Sequence, residues 1–396
     1  MREALLPVYA PPEEIFTRGE GVRLFTEDGT AYLDFIAGIA VNALGHAHPA
    51  MIDALTEQAG KLWHTSNMFR VPAGEELSEK YCANTFADQV FFTNSGTEAI
   101  ECALKTARKY HWANGEPERQ EILTFTGAFH GRSFAAINAG GNPNYLEGFG
   151  EPMAGFKQLQ FGDHEAFKAA ISKETCAVLI EPVQGEGGVR DLPEKCLIGI
   201  RELCNETGTM LIYDEVQCGA GRTGKLFAHQ WCDGKADPDI MAVAKGVGGG
   251  FPLGACLVTE EAGKGMRVGS HGSTYGGNPL AMAVGNAVFD EMTKPGFMDE
   301  VNRVAGTLKQ GLASLADRHP EIVEEVRGKG LLIGLKLKVP PKPVQGLARA
   351  KKLLTGVAGD NVLRLAPPLV ITDADVREAI AVLDECLAEA KASESS

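Results

Sequence analysis

The sequence predicts an α/β fold, in which a large domain with a mostly parallel central sheet precedes a smaller α+β domain. The chain has 396 residues, of which 44% are hydrophobic, and this is enough to build a large core. Up to about residue 293, short apolar runs alternate with segments of helical period. Beyond that point the alternation gives way to a long helix and a separate group of strands.

The strands predicted for the large domain are short runs of apolar and β-branched residues. They are Gln89–Thr93, Glu121–Phe125, Cys176–Glu181 and Met210–Val216. Helices are predicted at Thr97–Trp112 and Pro193–Thr207. Because ligands of such sheets bind beyond the carboxyl ends of the strands, polar residues directly after a strand are the candidate site residues. The large domain is predicted at residues 46–293.

The smaller α+β domain is predicted at residues 294–396. Its predicted strands are Glu324–Arg327, Leu331–Leu337 and Val362–Leu365. A final helix begins at Asp373. The chain opens with extended segments near Val22–Phe25 and Ala31–Phe35, so residues 1–45 are predicted to form an N-terminal arm or a segment of the small domain.

Composition limits the classes of partner. Lys and Arg total 38 against 52 Asp and Glu, which gives a formal net charge of −14. This balance argues against a nucleic-acid or anionic-membrane surface, and no apolar run is long enough for a membrane span. The nine scattered cysteines favour reduced thiols, and the first residues resemble no targeting leader. We therefore expect a cytoplasmic protein that acts on small molecules.

A candidate anion-binding site lies at Asn94–Ala99, which reads NSGTEA. A predicted strand ends here and a helix begins, with Ser95 or Thr97 placed to cap it and Glu98 in its first turn. Backbone N–H groups and the helix dipole attract an anion at such a point, and Gly96 lets a phosphate approach closely. A plain helix cap gives the same pattern, so this motif alone does not decide.

Two further motifs follow apolar strands. LIYDEVQ places Asp214, Glu215 and Gln217 at the carboxyl end of one strand, and AVAKGVGGGFPLG places Lys245 between an apolar run and a group of glycines. Taken separately, such carboxylates often only cap a loop, and a lysine beside glycines is usually solvated. Their order along the chain, after the candidate anion site, favours a shared site.

Together the three motifs meet the needs of pyridoxal 5′-phosphate (PLP). This cofactor requires a phosphate-binding site, a carboxylate that keeps its pyridine nitrogen protonated, and a lysine that binds its aldehyde. A free lysine has a pKa near ~10.4, so Lys245 must be desolvated or linked to the cofactor to work near neutral pH. Asp214 and Lys245 are therefore the candidate catalytic residues, and no metal ion is expected.

The motif AFHGRS offers candidate ligands for the ring and for a carboxylate. Phe129 is placed to stack on the pyridine ring, and the planar guanidinium of Arg132 suits a carboxylate. For His130 we expect an interior hydrogen bond.

Three later motifs add polar residues. IEPVQGEGG places Glu181 at a strand end and Glu186 in a flexible turn. STYGGNP contributes Ser273 and Thr274, and VLRLAPPL places Arg364 on a strand of the small domain.

An alternative pattern points to a dinucleotide. Gly219, Gly221 and Gly224 satisfy GxGxxG directly after the strand Met210–Val216. That motif should open an amphipathic helix, but the following segment KLFAHQWCDG is short and is broken at Gly234. Nicotinamide binding is therefore not favoured.

Seven motifs resemble, in order and spacing, those of the class III PLP-dependent aminotransferases. They are SGTEA, AFHGRS, EPVQGEGG, DEVQCGAGRTG, AKGVGGGFPLG, GSTYGGNP and VLRLAPPL. The resemblance covers essentially the whole chain and implies the aspartate-aminotransferase-like architecture called fold type I. Within the class, GIAVNALGHAHP, LWHTSN and SHGSTYGGNP are most similar to members that act on N2-acetylornithine.

The resemblance also implies roles for the residues at matching positions. Implied cofactor contacts are Gly96, Thr97, Phe129, Asp214, Glu215, Val216, Gln217, Lys245 and Thr274. Implied substrate contacts are Arg132, Ser273, Glu186 and Arg364. The position of Thr274 implies contact with the phosphate bound by the other subunit, and hence a homodimer with shared active sites.

The implied reaction moves the terminal amino group of N2-acetylornithine to 2-oxoglutarate. Arg132 is expected to bind the carboxylate far from the reacting carbon in either substrate, and Arg364 the carboxylate beside that carbon in glutamate. Glu186 is expected to neutralise Arg364 when no such carboxylate is present. Succinylornithine, succinyl-diaminopimelate and ornithine stay open as amine donors. An aminomutase or racemase of the same fold and a non-catalytic PLP-binding or regulatory protein stay open as alternative functions.

Overall fold

The structure is a computed structural model that describes residues 4–394. Residues 1–3 of the predicted N-terminal segment and residues 395–396 of the predicted small domain lie outside the described part. The strands are β1 (Phe16–Glu20), β2 (Arg23–Thr26), β3 (Ala31–Asp34), β4 (Gln89–Thr93), β5 (Glu121–Phe125), β6 (Phe156–Leu159), β7 (Thr175–Ile180), β8 (Val183–Gln184), β9 (Arg190–Asp191), β10 (Met210–Asp214), β11 (Ile240–Val243), β12 (Gly254–Val258), β13 (Val323–Lys329), β14 (Leu332–Leu337), β15 (Leu353–Leu354), β16 (Gly356–Ala358) and β17 (Val362–Leu365).

The helices alternate with these strands. They are α1 (Ala37–Ala40), α2 (Pro49–Ala59), α3 (Pro72–Asn84), α4 (Gly96–Ala113), α5 (Phe134–Gly140), α6 (Pro143–Leu146), α7 (His164–Ala170), α8 (Glu194–Thr207), α9 (Glu260–Gly263), α10 (Pro279–Met292), α11 (Phe297–Arg318), α12 (Pro341–Ala350) and α13 (Asp373–Glu394).

A seven-stranded sheet in the order β4-β12-β11-β10-β7-β5-β6 forms the centre of the molecule. Strand β12 is antiparallel to both of its neighbours, and the other strands share one direction. The predicted mostly parallel sheet is therefore confirmed. Because these strands share a direction, the residues after β4, β7, β10 and β11 come to the same edge of the sheet.

The sheet is buried on both faces. Every residue of β7 and β10 is buried, as expected for parallel strands covered by helices on each side. Alternate residues of β10 face opposite layers: Leu211 and Tyr213 belong to one apolar cluster, and Ile212 belongs to the other. The second cluster includes the buried stripe of α4, at Ile100 and Ala103.

The strand β10 is shorter than predicted. It ends at Asp214 because the Asp214 side chain accepts a hydrogen bond from the backbone N–H of Val216, at 3.0 Å, and turns the chain. Past Gly224 the chain forms a 3₁₀ helix at Ala228–Cys232, so the GxGxxG segment does not open an amphipathic α-helix. Within that loop the buried Arg222 donates to the carbonyls of Leu331 and Pro367, which lie in the C-terminal part of the chain.

The C-terminal part forms its own sheet, in the order β13-β14-β17-β16. A further sheet, β1-β2-β3-β15, joins the two ends of the chain, because β15 pairs in parallel with β3. The predicted extended segments near residues 22–25 and 31–35 correspond to β2 and β3. The domain boundaries at residues 45 and 293 stay a prediction.

Two further sequence expectations concern cysteines and membranes. All nine cysteines are free thiols. Among residues 4–394, no helix is both long enough and apolar enough to cross a bilayer.

Candidate active site

A cavity of about 460 Å³ lies at the carboxyl edge of the central sheet. Its walls come from the loops after β4, β5, β7, β10 and β11. The lining residues are Val41, Asn94, Ser95, Gly96, Thr97, Phe129, His130, Gly131, Arg132, Glu181, Asp214, Val216, Gln217, Ala244, Lys245, Gly250, Phe251, Pro252 and Leu253. The three motifs that sequence analysis combined therefore meet in one place.

The N-terminus of α4 forms one wall. Ser95 is the cap of this helix, and its Oγ accepts a hydrogen bond from the N–H of Glu98 at 3.4 Å. Glycine is required at position 96, since a Cβ there would lie 2.7 Å from Cγ1 of Val216. The Oγ1 atom of Thr97 accepts a hydrogen bond from the backbone N–H of Arg132, at 2.8 Å, and fixes the AFHGRS loop against the helix.

Asp214 and His130 form a buried pair. Nδ1 of His130 lies 2.7 Å from Oδ2 of Asp214, and both side chains are almost completely buried. The expected interior hydrogen bond of His130 is confirmed, and its partner is the predicted catalytic aspartate. Nε2 of His130 is buried and has no partner among the described residues, so it remains available to a ligand. The histidine orients the carboxylate toward the cavity.

Lys245 lies just after β11 and is the first residue of a 3₁₀ turn. Its own φ angle is 50°. Burial lowers the pKa of its amine to about 8, with a further contribution from the positive charge of Arg364. The carboxylates of Glu186 and Asp214 act in the opposite direction. A substantial fraction of the amine is therefore neutral near physiological pH, as a nucleophile or base requires.

Glu181 also lines the cavity, although sequence analysis placed it at a strand end without assigning it a role. It follows β7, and its carboxyl accepts a hydrogen bond from the N–H of Phe129 at 3.2 Å. Burial, and then the negative charge of Asp214, raise the pKa of Glu181 well above its usual value. Its position directly after a strand of the parallel sheet was the available sequence signal.

Arg364, Glu186 and Gln217 form a second group, in which Arg364 and Gln217 are buried and the Glu186 side chain is 30% exposed. Nη1 of Arg364 lies 2.5 Å from Oε1 of Glu186 and 3.0 Å from Oε1 of Gln217. Burial opposes ionisation of Glu186, but the attraction of Arg364 outweighs it and the pKa of Glu186 falls below its usual value. The expected neutralisation of Arg364 by Glu186 thus has the required geometry.

Three of the residues with predicted contacts, Glu215, Ser273 and Thr274, do not line this cavity. The carboxylate of Glu215 accepts hydrogen bonds from the N–H groups of Ala228 and His229, at 2.5 and 2.8 Å, and it does not line the cavity. The Glu215 side chain is directed away from the cavity, as expected for the neighbour of Asp214 at a strand end, and its contact with a cofactor stays a prediction. Ser273 and Thr274 line a separate hollow of about 390 Å³ beside Asn94.

The cavity also has apolar lining that sequence analysis did not single out. Phe251, Pro252 and Leu253 follow the glycines after Lys245, so proximity in sequence was a usable signal. Val41 comes from the other end of the chain, after a turn in which Ala37 and Ile39 adopt positive φ angles. Nothing in the local pattern predicted this approach.

The family profile described as Aminotransferase class-III matches residues 8–387. The chain belongs to the class III aminotransferases.

Individual members of this family are similar over nearly their whole length. Acetylornithine aminotransferase 2 of Caulobacter vibrioides is 57% identical over 389 residues, which cover 98% of this chain and 96% of the relative. Among solved structures, N-acetylornithine aminotransferase from Stenotrophomonas maltophilia has a TM-score of 0.84 and 36% identity, covering 97% of this chain and 98% of that one.

A third class III aminotransferase is similar in structure at lower identity. The ornithine aminotransferase from Toxoplasma gondii, crystallized in the presence of oxidized glutathione, has a TM-score of 0.93 and 29% identity. The match covers 99% of this chain and 94% of that one, and PLP partly occupies that protein's active site. These similarities confirm the predicted fold type I architecture.

The cavity of this class III aminotransferase fits PLP on its own geometry. It combines a helix N-terminus that lacks a Cβ at Gly96, a buried carboxylate at Asp214 and an amine of lowered pKa at Lys245. Nε2 of His130, which has no partner within residues 4–394, is a further polar atom of a cavity-lining residue. A bound anion with an aromatic ring would satisfy each of these groups.

Proposed function

We propose that this class III aminotransferase transfers the terminal amino group of N2-acetyl-L-ornithine to 2-oxoglutarate. The products are N-acetylglutamate 5-semialdehyde and glutamate, and the reaction belongs to arginine biosynthesis. The observation that carries the proposal is that two arginines lie near one lysine of lowered pKa, and only one of them is paired with a carboxylate. Arg364 is paired with Glu186, whereas Arg132 has no carboxylate partner among the described residues. The names of the similar enzymes support acetylornithine as the donor.

The residues that would hold PLP surround the cavity. Gly96 and Thr97 would bind its phosphate, Phe129 would face its ring, and Val216 and Gln217 would line it. When bound, PLP supplies an electron sink in its pyridine ring and an aldehyde carbon that accepts and returns amino groups. Asp214, oriented by His130, would pair with the pyridine nitrogen and favour its protonated form.

Lys245 has two tasks in this proposal. Its Nζ would hold the cofactor when no substrate is bound, and with substrate in the site it would accept and return a proton at the substrate carbon that bears the amine. A pKa of about 8 suits both tasks, because the neutral amine is accessible near neutral pH.

The two arginines allow one site to serve two substrates. Arg132 binds the carboxylate far from the reacting carbon in both acetylornithine and glutamate. Arg364 binds the carboxylate beside that carbon, which only glutamate and 2-oxoglutarate carry. When acetylornithine is bound, Glu186 neutralises Arg364, since an unpaired buried charge is costly.

The assembly proposed for this enzyme is a homodimer with shared active sites. Thr274 is exposed and lies outside its own chain's cavity, which leaves it available to a phosphate bound by another subunit. Ser273, whose Oγ accepts a hydrogen bond from the N–H of Gly276 at 2.9 Å, would approach substrate from the same segment. A cytoplasmic location stays a prediction from composition.

The test compares kcat/KM for four amines with 2-oxoglutarate as acceptor. Acetylornithine should give the highest value, ahead of succinylornithine, succinyl-diaminopimelate and ornithine, and glutamate should form in step with the aldehyde. Lys245→Ala should bind PLP but lose nearly all turnover, whereas the exposed control Lys168→Ala should behave as wild type. Turnover without an acceptor would indicate a mutase, and PLP binding without turnover would indicate a binding protein.

A further inference from the structure

The guanidinium of Arg132 is unusual among the charged groups of the site. Its side chain is exposed, and no carboxylate in residues 4–394 lies within ion-pair distance of it. Within the described part of the chain, the only hydrogen bond given for Arg132 uses its backbone N–H, which donates to Oγ1 of Thr97. The guanidinium therefore keeps all of its N–H donors for a ligand, but no salt bridge fixes its position.

Aromatic rings provide the contact instead. The Cζ atom of Arg132 lies 3.8 Å from the centroid of the Tyr145 ring and 5.5 Å from that of Phe129. The two rings meet edge to face, with centroids 5.9 Å apart and an interplanar angle of 88°. A cation over a ring face is attracted by the ring electrons without using any N–H donor. Such a contact can restrain the guanidinium and still leave its N–H donors free to bind a carboxylate.

The position of Tyr145 is set by a short capped helix. Asn142 is the cap of α6, and its Oδ1 accepts a hydrogen bond from the N–H of Asn144 at 3.0 Å. The N–H of Tyr145 donates to the carbonyl of Asn142 at 2.9 Å. The segment therefore presents the ring to Arg132 in a fixed turn.

We propose that Tyr145 is a positioning residue, which holds the Arg132 guanidinium by stacking so that the guanidinium can bind the substrate carboxylate far from the reacting carbon. The inference rests on the proposed role of Arg132 in binding that carboxylate. Because Phe129 touches both Tyr145 and Arg132, the same cluster links the carboxylate anchor to the ring expected to face the cofactor. Loss of the Tyr145 ring should weaken carboxylate binding while leaving the chemistry at Lys245 unchanged.

The test measures binding of glutarate, an unreactive dicarboxylate, to the PLP-loaded protein by calorimetry. Tyr145→Leu should weaken glutarate binding by about 2- to 30-fold, which corresponds to the ~0.5–2 kcal/mol of a cation–π contact. Tyr145→Phe keeps the ring and should recover most of the affinity. Phe149→Leu is a matched control, since Phe149 lies in the same segment but packs on Phe134 instead of Arg132.

A double-mutant cycle separates positioning from general damage. In an Arg132→Leu background, Tyr145→Leu should cause no further loss of glutarate affinity, because the group that it positions is gone. With n-pentylamine, which has no carboxylate, the half-reaction rate of Tyr145→Leu should match wild type. In steady state the variant should raise KM for acetylornithine and 2-oxoglutarate more than it lowers kcat.

Three results would overturn the inference. They are an unchanged glutarate affinity in Tyr145→Leu, an equal loss in the Phe149→Leu control, and a full additional loss in the Arg132→Leu background. Failure of the acetylornithine assay would be a different result, because glutarate binding does not depend on which amine the enzyme prefers. If another amine proves to be the donor and Tyr145→Leu still weakens glutarate, only the proposed substrate is wrong.

Discussion

Nη1 of Arg364 lies 2.5 Å from Oε1 of Glu186, so the buried cation is already paired before any substrate carboxylate arrives. The two residues come from distant parts of the chain, with Arg364 on β17 and Glu186 in the turn between β8 and β9. In the proposed reaction, glutamate would have to displace this carboxylate to reach Arg364, whereas acetylornithine would leave the pair intact.

Substitution of Arg364 and substitution of Glu186 should impair different half-reactions. Arg364→Ala should impair mainly the half-reaction with glutamate or 2-oxoglutarate. Removing one partner of a buried charge pair costs roughly 2–5 kcal/mol, so a loss of roughly thirty- to several-thousand-fold is expected. Glu186→Gln should impair mainly the acetylornithine half-reaction, because Arg364 would then lack its neutralising carboxylate. Single-turnover absorbance changes with each amine measure the two halves separately.

The same experiment has a clear contrary outcome. Equal losses in both half-reactions for Arg364→Ala and for Glu186→Gln would mean that one fixed anchor serves both substrates. The exposed Glu165→Gln is a control for loss of a negative charge alone, and it should leave both half-reactions unchanged.

Arg132 should behave differently from Arg364. Both substrates carry a carboxylate far from the reacting carbon, so Arg132→Ala should slow both half-reactions to a similar extent. A hydrogen bond to a charged group contributes roughly 1.5–3 kcal/mol, which predicts losses of about 10- to 150-fold. Arg132→Lys keeps the charge but not the planar fork and should recover only part of the loss. A loss confined to one half-reaction would contradict this role.

The lowered pKa of Lys245 predicts how loading of the apoprotein depends on pH. Only the neutral amine attacks the cofactor, so the rate of PLP loading should rise with pH and reach half of its plateau near pH 8. Arg364 lowers this pKa and Glu186 raises it, so Arg364→Gln should move the midpoint upward and Glu186→Gln downward. Stopped-flow absorbance follows the loading. A midpoint near 10.5 in all three proteins would contradict a desolvated lysine.

Most of the fold and the central part of the site were accessible to sequence reasoning. The strands β4, β5 and β17 have the predicted bounds, because polar residues follow the first two and Ala366 and two prolines follow the third. The rule that ligands bind at the carboxyl edge of a parallel sheet then brought Asp214 and Lys245 together. Local pattern and one topological rule were sufficient for these residues.

The remaining features depend on contacts that local pattern does not record. Asp214 and Glu215 are adjacent carboxylates, but only Asp214 faces the cavity, and Glu215 supports the turn at Ala228 and His229. Tyr145 reaches Arg132 from a four-residue helix whose direction follows from tertiary packing.

Thr274 offers a test of shared active sites. A carboxylate at this position would repel a neighbouring phosphate, so Thr274→Glu should reduce PLP retention strongly. If Thr274 acts on the partner's site, mixing Thr274→Glu with Lys245→Ala gives hybrid dimers in which one site carries both changes and the other carries neither. Random exchange should then restore about a quarter of the sites. No recovery of activity after exchange, or a monomer with normal turnover, would contradict the shared site.

Gly96 gives the most local test of the proposed phosphate-binding site. A Cβ at this position would lie 2.7 Å from Cγ1 of Val216, so Gly96→Ala forces either the helix start or Val216 to move. Overpacking of this kind costs about 1–3 kcal/mol, and PLP affinity should fall by about 5- to 150-fold.

Gly199→Ala is the matched control, because Gly199 lies within α8 and a Cβ there meets no atom within 4 Å. That change should raise the free energy of unfolding by about 0.5–1 kcal/mol and leave PLP affinity unchanged. Val216→Ala should restore affinity in the Gly96→Ala protein, since it removes the methyl groups that the new Cβ meets. If Gly96→Ala binds PLP as wild type does in equilibrium titrations of the apoprotein, the start of α4 is not where the phosphate lies.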